Sequence, residues 1–404
     1  MKKVLFTAML LLVASFSYAQ KKNVKQAKSI ATSVNPDFKE AQKLINEALA
    51  NPETKEDPET WDVAALVQKR MTEKQMEKAY LRKPYDTVQV YNSTLNMFKY
   101  YLKCDELAQI PNAKGKIKNK YRKNNATNMK VERPNLINGG IHYFNNNDNK
   151  KAIEFFGMYV DVAAHEMLEK DNLLETDTVI PQIAYYAALA AAKDENNDAI
   201  LKYAPYAKND PEVGKYAMEF EAIALKATNQ TDKWIALLKE GLTLYPDHAF
   251  FFGHLIDYYT NNNKFDDAME FADGMIAKDP ENPFFLYVKA FLFHNMKEYD
   301  KATEFYQKTI AVDPSYAEAY SNLGLIYCLK AQDFAEDTTT DINDPKYAEA
   351  QKQIKSFYQE AKPYYEKARE LKPEQQDLWM QGLYRVYYNL NMGKEFEEIE
   401  SLMQ

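Results

Sequence analysis

Apolar positions recur along most of this chain with a helical period, and no long Val/Ile/Thr alternation marks a strand. The pattern is sharpest between Asn282 and Tyr327. Leu286 and Phe293 stand at the fourth and eleventh positions of a segment opening at Pro283, with small Ala290 at the eighth, which places all three on one helix stripe. Ala302 and Tyr306 follow at i,i+4, a small residue beside a large one, as two closely approaching helices require. Pro314 cannot continue a helix and biases Asp313 away from helical geometry, so it closes the unit. A second copy starts at Ala317, with Tyr320, Leu323-Gly324 and Tyr327. The predicted element is a hairpin of two helices that cannot bury its own apolar face and must stack on copies of itself.

Closing prolines phase the copies: Pro211, Pro246, Pro280 and Pro314 are spaced by 35, 34 and 34 residues. Ile183, Ala187, Ala199 and Tyr203 fit the first of these units, the second is degenerate with Trp234 where Ala is usual, and Tyr259 and Ala268 fit the third. Between paired helices lie Asn196-Asn197-Asp198, Asn229-Gln230, Asn261-Asn262-Asn263 and Lys297-Glu298; Asn and Asp there close turns and cap the next helix. The fifth unit resumes at Ala361, Tyr365 and Ala368 and closes on Pro373, 59 residues after Pro314, an excess of 25 over one period. The extra residues, 331–355, are acidic and predict a loop followed by a lengthened second helix from Tyr347. Trp379, Leu383 and Tyr387 open a last unit over 376–404 that ends as a cap.

The W-x-x-L-G-x-x-Y, A-x-x-x-F, P spacing resembles the tetratricopeptide repeat (TPR) family. The resemblance implies an all-α, right-handed α-solenoid of TPR helical hairpins whose first helices line a concave groove. Carried over, the usual contact positions include Phe250, Asp257 and Asn261 in one unit, Phe284, Tyr287, Phe291, His294 and Asn295 in the next, and Ser321 and Leu325 in the third. Gly253, Thr260, Glu318 and Cys328 occupy further contact positions. Family members that grip a C-terminal carboxylate carry Lys and Asn where Tyr287 and Phe291 stand, so the alternatives are an aromatic groove for an extended peptide and a stripe whose Phe284 and Phe291 pack against adjacent helices without meeting a ligand.

The rest of the chain modifies this picture. Lys2 and Lys3, an apolar run of 16 residues and Ser17-Tyr18-Ala19 predict a cleaved signal peptide over 1–19, too short for a membrane span. No Cys follows it, and its Lys-Lys start resembles exported proteins of Bacteroidetes-like Gram-negative bacteria, implying a periplasmic or alternatively secreted protein. A flexible lead-in is expected over 20–35, a divergent helical region over 36–132 with a basic loop over 113–133, and the TPR array over 133–375. Loss of Lys2 and Lys3 takes the formal charge from −8 to −10, unfavourable for wrapping phosphate backbones, so no nucleic-acid partner is expected. Cys104 and Cys328 are expected as separate buried thiols, because several hairpins lie between them.

Catalytic patterns are sparse. No G-x-S-x-G, phosphate loop, dinucleotide fingerprint or paired C-x-x-C occurs. His165-Glu166 starts an H-E-x-x sequence that continues to Glu169 rather than His, and the acidic stretch from Asp337 to Asp344 lacks the Gly and Glu of a calcium loop, with Ile342 and Ala348 at those positions. Neither catalysis nor a cofactor is expected. The reading is a non-catalytic envelope scaffold for protein or peptide partners, with glycan binding through Tyr and Trp faces as the alternative.

Overall fold

A computed structural model describes residues 21–246 and 248–403; the predicted signal peptide, 1–19, lies outside them. The described residues are helical, without a strand. They divide into two compact units, Met1–Leu237 and Leu238–Gln404.

In the first unit, α1 is helical over residues 21–31. It corrects the expected flexible lead-in: Val24, Ala27 and Ala31 are buried against α2 (Phe38–Ala50) and α3 (Pro58–Tyr80), so this segment is part of the core. α3 pairs with α4 (Thr87–Ala108), and both are long, 23 and 22 residues. Asp57 and Asp86 start them, each accepting a backbone N–H with its carboxylate. The expected basic loop is also shorter than its composition implied. Residues from Arg122 belong to α5 (Arg122–Asn145), which buries Asn125, Met129 and Arg133. Arg122 clamps buried Asp105 with both arms of its guanidinium, at 2.8 and 2.6 Å. The hairpins α5/α6 (Asn149–Asp161) and α8 (Ile180–Lys193)/α9 (Asn197–Tyr203) continue the unit, with the single turn α7 (Leu173–Thr176) between them, followed by α10 (Gly214–Ala227). α11 (Thr231–Leu244) crosses the boundary between the units.

The second unit contains the regular copies α12 (Ala249–Asn261)/α13 (Phe265–Lys278) and α14 (Pro283–Asn295)/α15 (Tyr299–Val312). After them come α16 (Ala317–Glu336)/α17 (Tyr347–Leu371) and α18 (Met380–Asn389)/α19 (Gly393–Leu402). First helices start at 180, 214, 249, 283 and 317, so the period read from prolines is the period of the helices. The 25-residue excess resolves into a longer α16, a loop over 337–346 and a longer α17; Ala331, at the start of the expected insert, is buried in α16.

One turn recurs through both units. Arg82, Asn147, Glu195, Asn229, Asn263, Lys297 and Asn391 have φ between 51° and 60°, and each stands two residues past the end of a first helix. The next N–H then reaches back five residues, as in Asn196 to Ala191 (2.9 Å), Lys264 to Tyr259 (2.9 Å) and Glu298 to Phe293 (2.9 Å). This is the Schellman closure, which satisfies the last carbonyls of one helix while reversing the chain.

Candidate functional site

The first helices of the second unit bring most of the expected contact residues onto adjacent turns. On α14, Phe284, Tyr287, Phe291 and His294 follow at three, four and three residues and form one stripe. Phe252 of α12, absent from the expected set, meets this stripe edge-on, with ring centroids 5.4 Å from Phe284, 6.3 Å from Tyr287 and 6.0 Å from Phe291. Such edge-to-face pairs each add about 0.5–1.5 kcal/mol beyond area burial. The stripe is therefore held between repeats.

That packing follows the second of the two expectations at Phe284. Phe284 is buried, and Tyr287 is largely enclosed by Phe291, Tyr306 and Tyr316. The Asn322 amide donates to the Tyr287 hydroxyl at 3.0 Å, while burial pushes that phenol up to about 12. Ser321 donates to the carbonyl of Leu378, and Leu325 packs on the cluster around Trp379, Leu383 and Tyr387. Cys328 is buried in the same cluster. These residues pack on neighbouring repeats, Phe284 and Cys328 buried and Tyr287, Ser321 and Leu325 half-buried. His294 is half-buried between Phe291, Tyr299 and Tyr306, and burial holds its pKa below the usual imidazole range.

What remains open is an edge. Phe250 and Phe291 are half-buried, and Asp257, Asn261 and Asn295 are exposed. Phe250 lies against His254 with centroids 4.5 Å apart. Asn295 turns its amide back onto the Phe291 carbonyl at 2.8 Å. The edge thus offers ring faces beside neutral and acidic polar groups. The signal that could have found Phe252 is the heptad-like spacing of the stripe, which demands a large residue from the preceding first helix.

Elsewhere the chemistry is structural. His165 lies in a turn outside the helices, its Nδ1 accepting the Met167 N–H at 3.2 Å, so the H-E-x-x residues do not share a helix face. Among the described residues no three His, Cys, Asp or Glu side chains gather as a metal set. Burial pushes the Cys104 thiol up to about 12 and Cys328 up to about 11, and both are free of disulfides. An open depression of about 360 Å³ between α11 and α13 is lined by Lys239, Thr243, Asp267, Glu270, Phe271 and Lys278, with charges of both signs. No helix among the described residues is long and apolar enough to cross a membrane.

Comparison with known proteins bears on this architecture. Residues 290–330 match the family described as TPR repeat. No curated protein matches the chain. Similar solved structures include the C-terminal part of a TPR repeat-containing protein from Cytophaga hutchinsonii, 18% identical, covering 64% of this chain and 91% of that one, TM-score 0.36. A TPR repeats protein from Bacteroides fragilis is 16% identical over 67% of this chain and 98% of that one, TM-score 0.33. MamA from Desulfovibrio magneticus is 14% identical over 48% and 97%, TM-score 0.30. At TM-scores this low, neither overall arrangement nor function is taken from them.

Proposed function

We propose that this chain, whose residues 290–330 match the TPR repeat family, acts as a non-catalytic tetratricopeptide-repeat scaffold in the cell envelope, gripping protein or peptide partners along the first helices of its second unit. Its repeats are of the kind that generally mediate contacts between proteins. The observation that carries the reading is the half-open ring edge of Phe250 and Phe291 beside exposed Asp257, Asn261 and Asn295. An extended segment could lay apolar side chains on the rings and bond its backbone to the amides. Export rests on the pattern of residues 1–19.

The test is affinity capture from an envelope extract followed by mass spectrometry, using wild type beside the triple variant Asp257→Arg, Asn261→Arg and Asn295→Arg. These side chains are exposed, so the variant should melt as the wild type does. Discrete polypeptides retained by the wild type and lost from the variant support the reading. Equal retention by both moves the contact elsewhere on the chain. Retention on a glycan array without a protein partner rejects the reading in favour of sugar recognition.

A further inference from the structure

The α3/α4 hairpin runs beyond its own buried segments. Its helices have 23 and 22 residues, against 13 or 14 in α12 to α15. The excess of about 9 residues adds roughly 13 Å at 1.5 Å per residue. The last buried residue of α3 is Thr72 and the first of α4 is Val90. Between them nothing is buried, and residues 80–86 are all exposed. The hairpin end holds itself together: the Gln75 and Gln89 amides bond across it, and Gln75 Oε1 accepts the Asp86 N–H at 3.1 Å.

The composition of this free end is unlike solvated surface. Tyr80 is 89% exposed, Leu81 50% and Tyr85 44%, with Met76 and Val88 also exposed. From 73 to 89 the chain carries Lys74, Lys78, Arg82 and Lys83 against Glu73, Glu77 and Asp86; Glu73 is paired with Lys69 and Arg70, Glu77 with Lys74 at 2.8 Å, and the Asp86 carboxylate accepts the Gln89 N–H. Each of the three carboxylates is thus engaged within the protein, and Lys78, Arg82 and Lys83 are left without a carboxylate partner in a chain of formal charge −8. Arg82 and Lys83 enter no ion pair among the described residues. Tyrosine and leucine at an apolar tip, ringed by long cationic side chains that keep their heads in water, match the boundary between lipid headgroups and acyl chains.

We propose that the α3/α4 hairpin end is a peripheral docking element for an anionic bilayer surface, Tyr80, Leu81 and Tyr85 entering the headgroup boundary while Lys78, Arg82 and Lys83 pair with lipid charge. Charge complementarity selects this occupant: a neutral apolar groove on a protein would leave Lys78, Arg82 and Lys83 beside it unpaired. A negative membrane attracts them while repelling the acidic remainder of the chain, so contact is confined to the end.

The experiment is co-sedimentation of the full chain with phosphatidylcholine vesicles and with vesicles containing one-quarter phosphatidylglycerol. Wild type should partition onto the anionic vesicles, and added salt should weaken it. The pairs Tyr80→Ser with Leu81→Ser, and Arg82→Glu with Lys83→Glu, should each reduce partitioning at least about tenfold. Any contribution from residues 1–19 is common to all three proteins. A fluorophore attached at Tyr80→Cys localises the contact, since Cys104 and Cys328 are buried; its emission should shift to the blue with anionic vesicles alone. Failure of wild type to bind, equal binding by the variants, equal binding to both vesicle types, or an unshifted label each overturns the proposal. So does a variant-sensitive dimer in velocity sedimentation, or variant-sensitive protein capture, without vesicle binding.

Discussion

The repeated turn shows how one residue can carry a cost that the fold spreads over seven positions. A side chain with a Cβ in the left-handed region costs about 1–2 kcal/mol relative to glycine, and Asn tolerates it better than most. Four of the seven positions are Asn, while Arg82, Glu195 and Lys297 accept the cost without that help. Lys297 is exposed, has φ of 59° and makes no ion pair among the described residues. Lys297→Gly should therefore stabilise the protein by about 0.5–1 kcal/mol, the backbone relief exceeding the extra chain entropy of glycine in the unfolded state. Thermal melting checks it, and an unchanged or lowered midpoint would show the turn to be unstrained. The opposite case is Arg133, buried with its guanidinium 3.6 Å over the Tyr159 ring and paired to Asp177. Burial alone would raise the Asp177 pKa, but the Tyr159 hydroxyl (2.7 Å), the Val179 N–H (3.0 Å) and Arg133 together hold it below the usual carboxylate value. A depressed native pKa contributes stability above the unfolded value of about 3.9, lost as pH falls through the native value. Asp177→Ala should cost about 3–5 kcal/mol near neutral pH because it strands a buried charge. Its deficit should shrink below about pH 4, which urea titrations at pH 7 and pH 3.5 measure.

At the scale of the element, legibility followed the strength of the periodic signal. The 34-residue units with paired small and large residues were readable because a stripe at 3.6-residue spacing fixes both helix and facing surface. The lengthened α17 from Tyr347 is legible from a different signal, the pre-proline Asp344 followed by helix-forming residues. Polar composition misled where helices bury few residues. Residues 21–31 look like a Lys-rich tail, yet Val24, Ala27 and Ala31 at spacings of three and four suffice to dock them. Asn124 to Lys130 reads as a loop, yet Asn125 and Met129 face inward at i,i+4 on α5. The Asn-rich turns were located for a partly different reason than their chemistry supplies. Asn196 does cap α9 through the Ala199 N–H at 3.1 Å, but Asn229 and Asn263 are there to adopt positive φ. The contact residues were harder still. Position in the repeat says which stripe faces the first helix of the next unit, but not whether neighbouring rings fill the space, and at Phe284 and Tyr287 they do.

For the whole molecule, the relevant physics is that each hairpin is stabilised chiefly by the ones it touches, so disturbance should decay along the chain. Gly324 offers a clean place to apply one. Tyr365 of α17 lies between Gly324 of α16 and Gly382 of α18, and a Cβ on Gly324 would sit 2.6 Å from the Tyr365 ring. Alanine there gains up to about 1 kcal/mol of helix propensity but forces an overpacked contact costing about 1–3 kcal/mol. The ring is buried in a cluster with Ala361, Trp379, Leu383 and Tyr387 and has little room to yield, so the contact should win. Gly324→Ala is therefore expected to destabilise the protein by about 1–2 kcal/mol despite its better helix former. Amide hydrogen exchange distinguishes the mode of that loss. Protection should fall in α16, α17 and α18, less in α14 and α15, and remain at wild-type levels in α3 to α6, whose cores are built from other residues. Uniform loss across all helices would mean that the chain opens as one cooperative body, in which case the repeat would be a unit of sequence and geometry but not of energy.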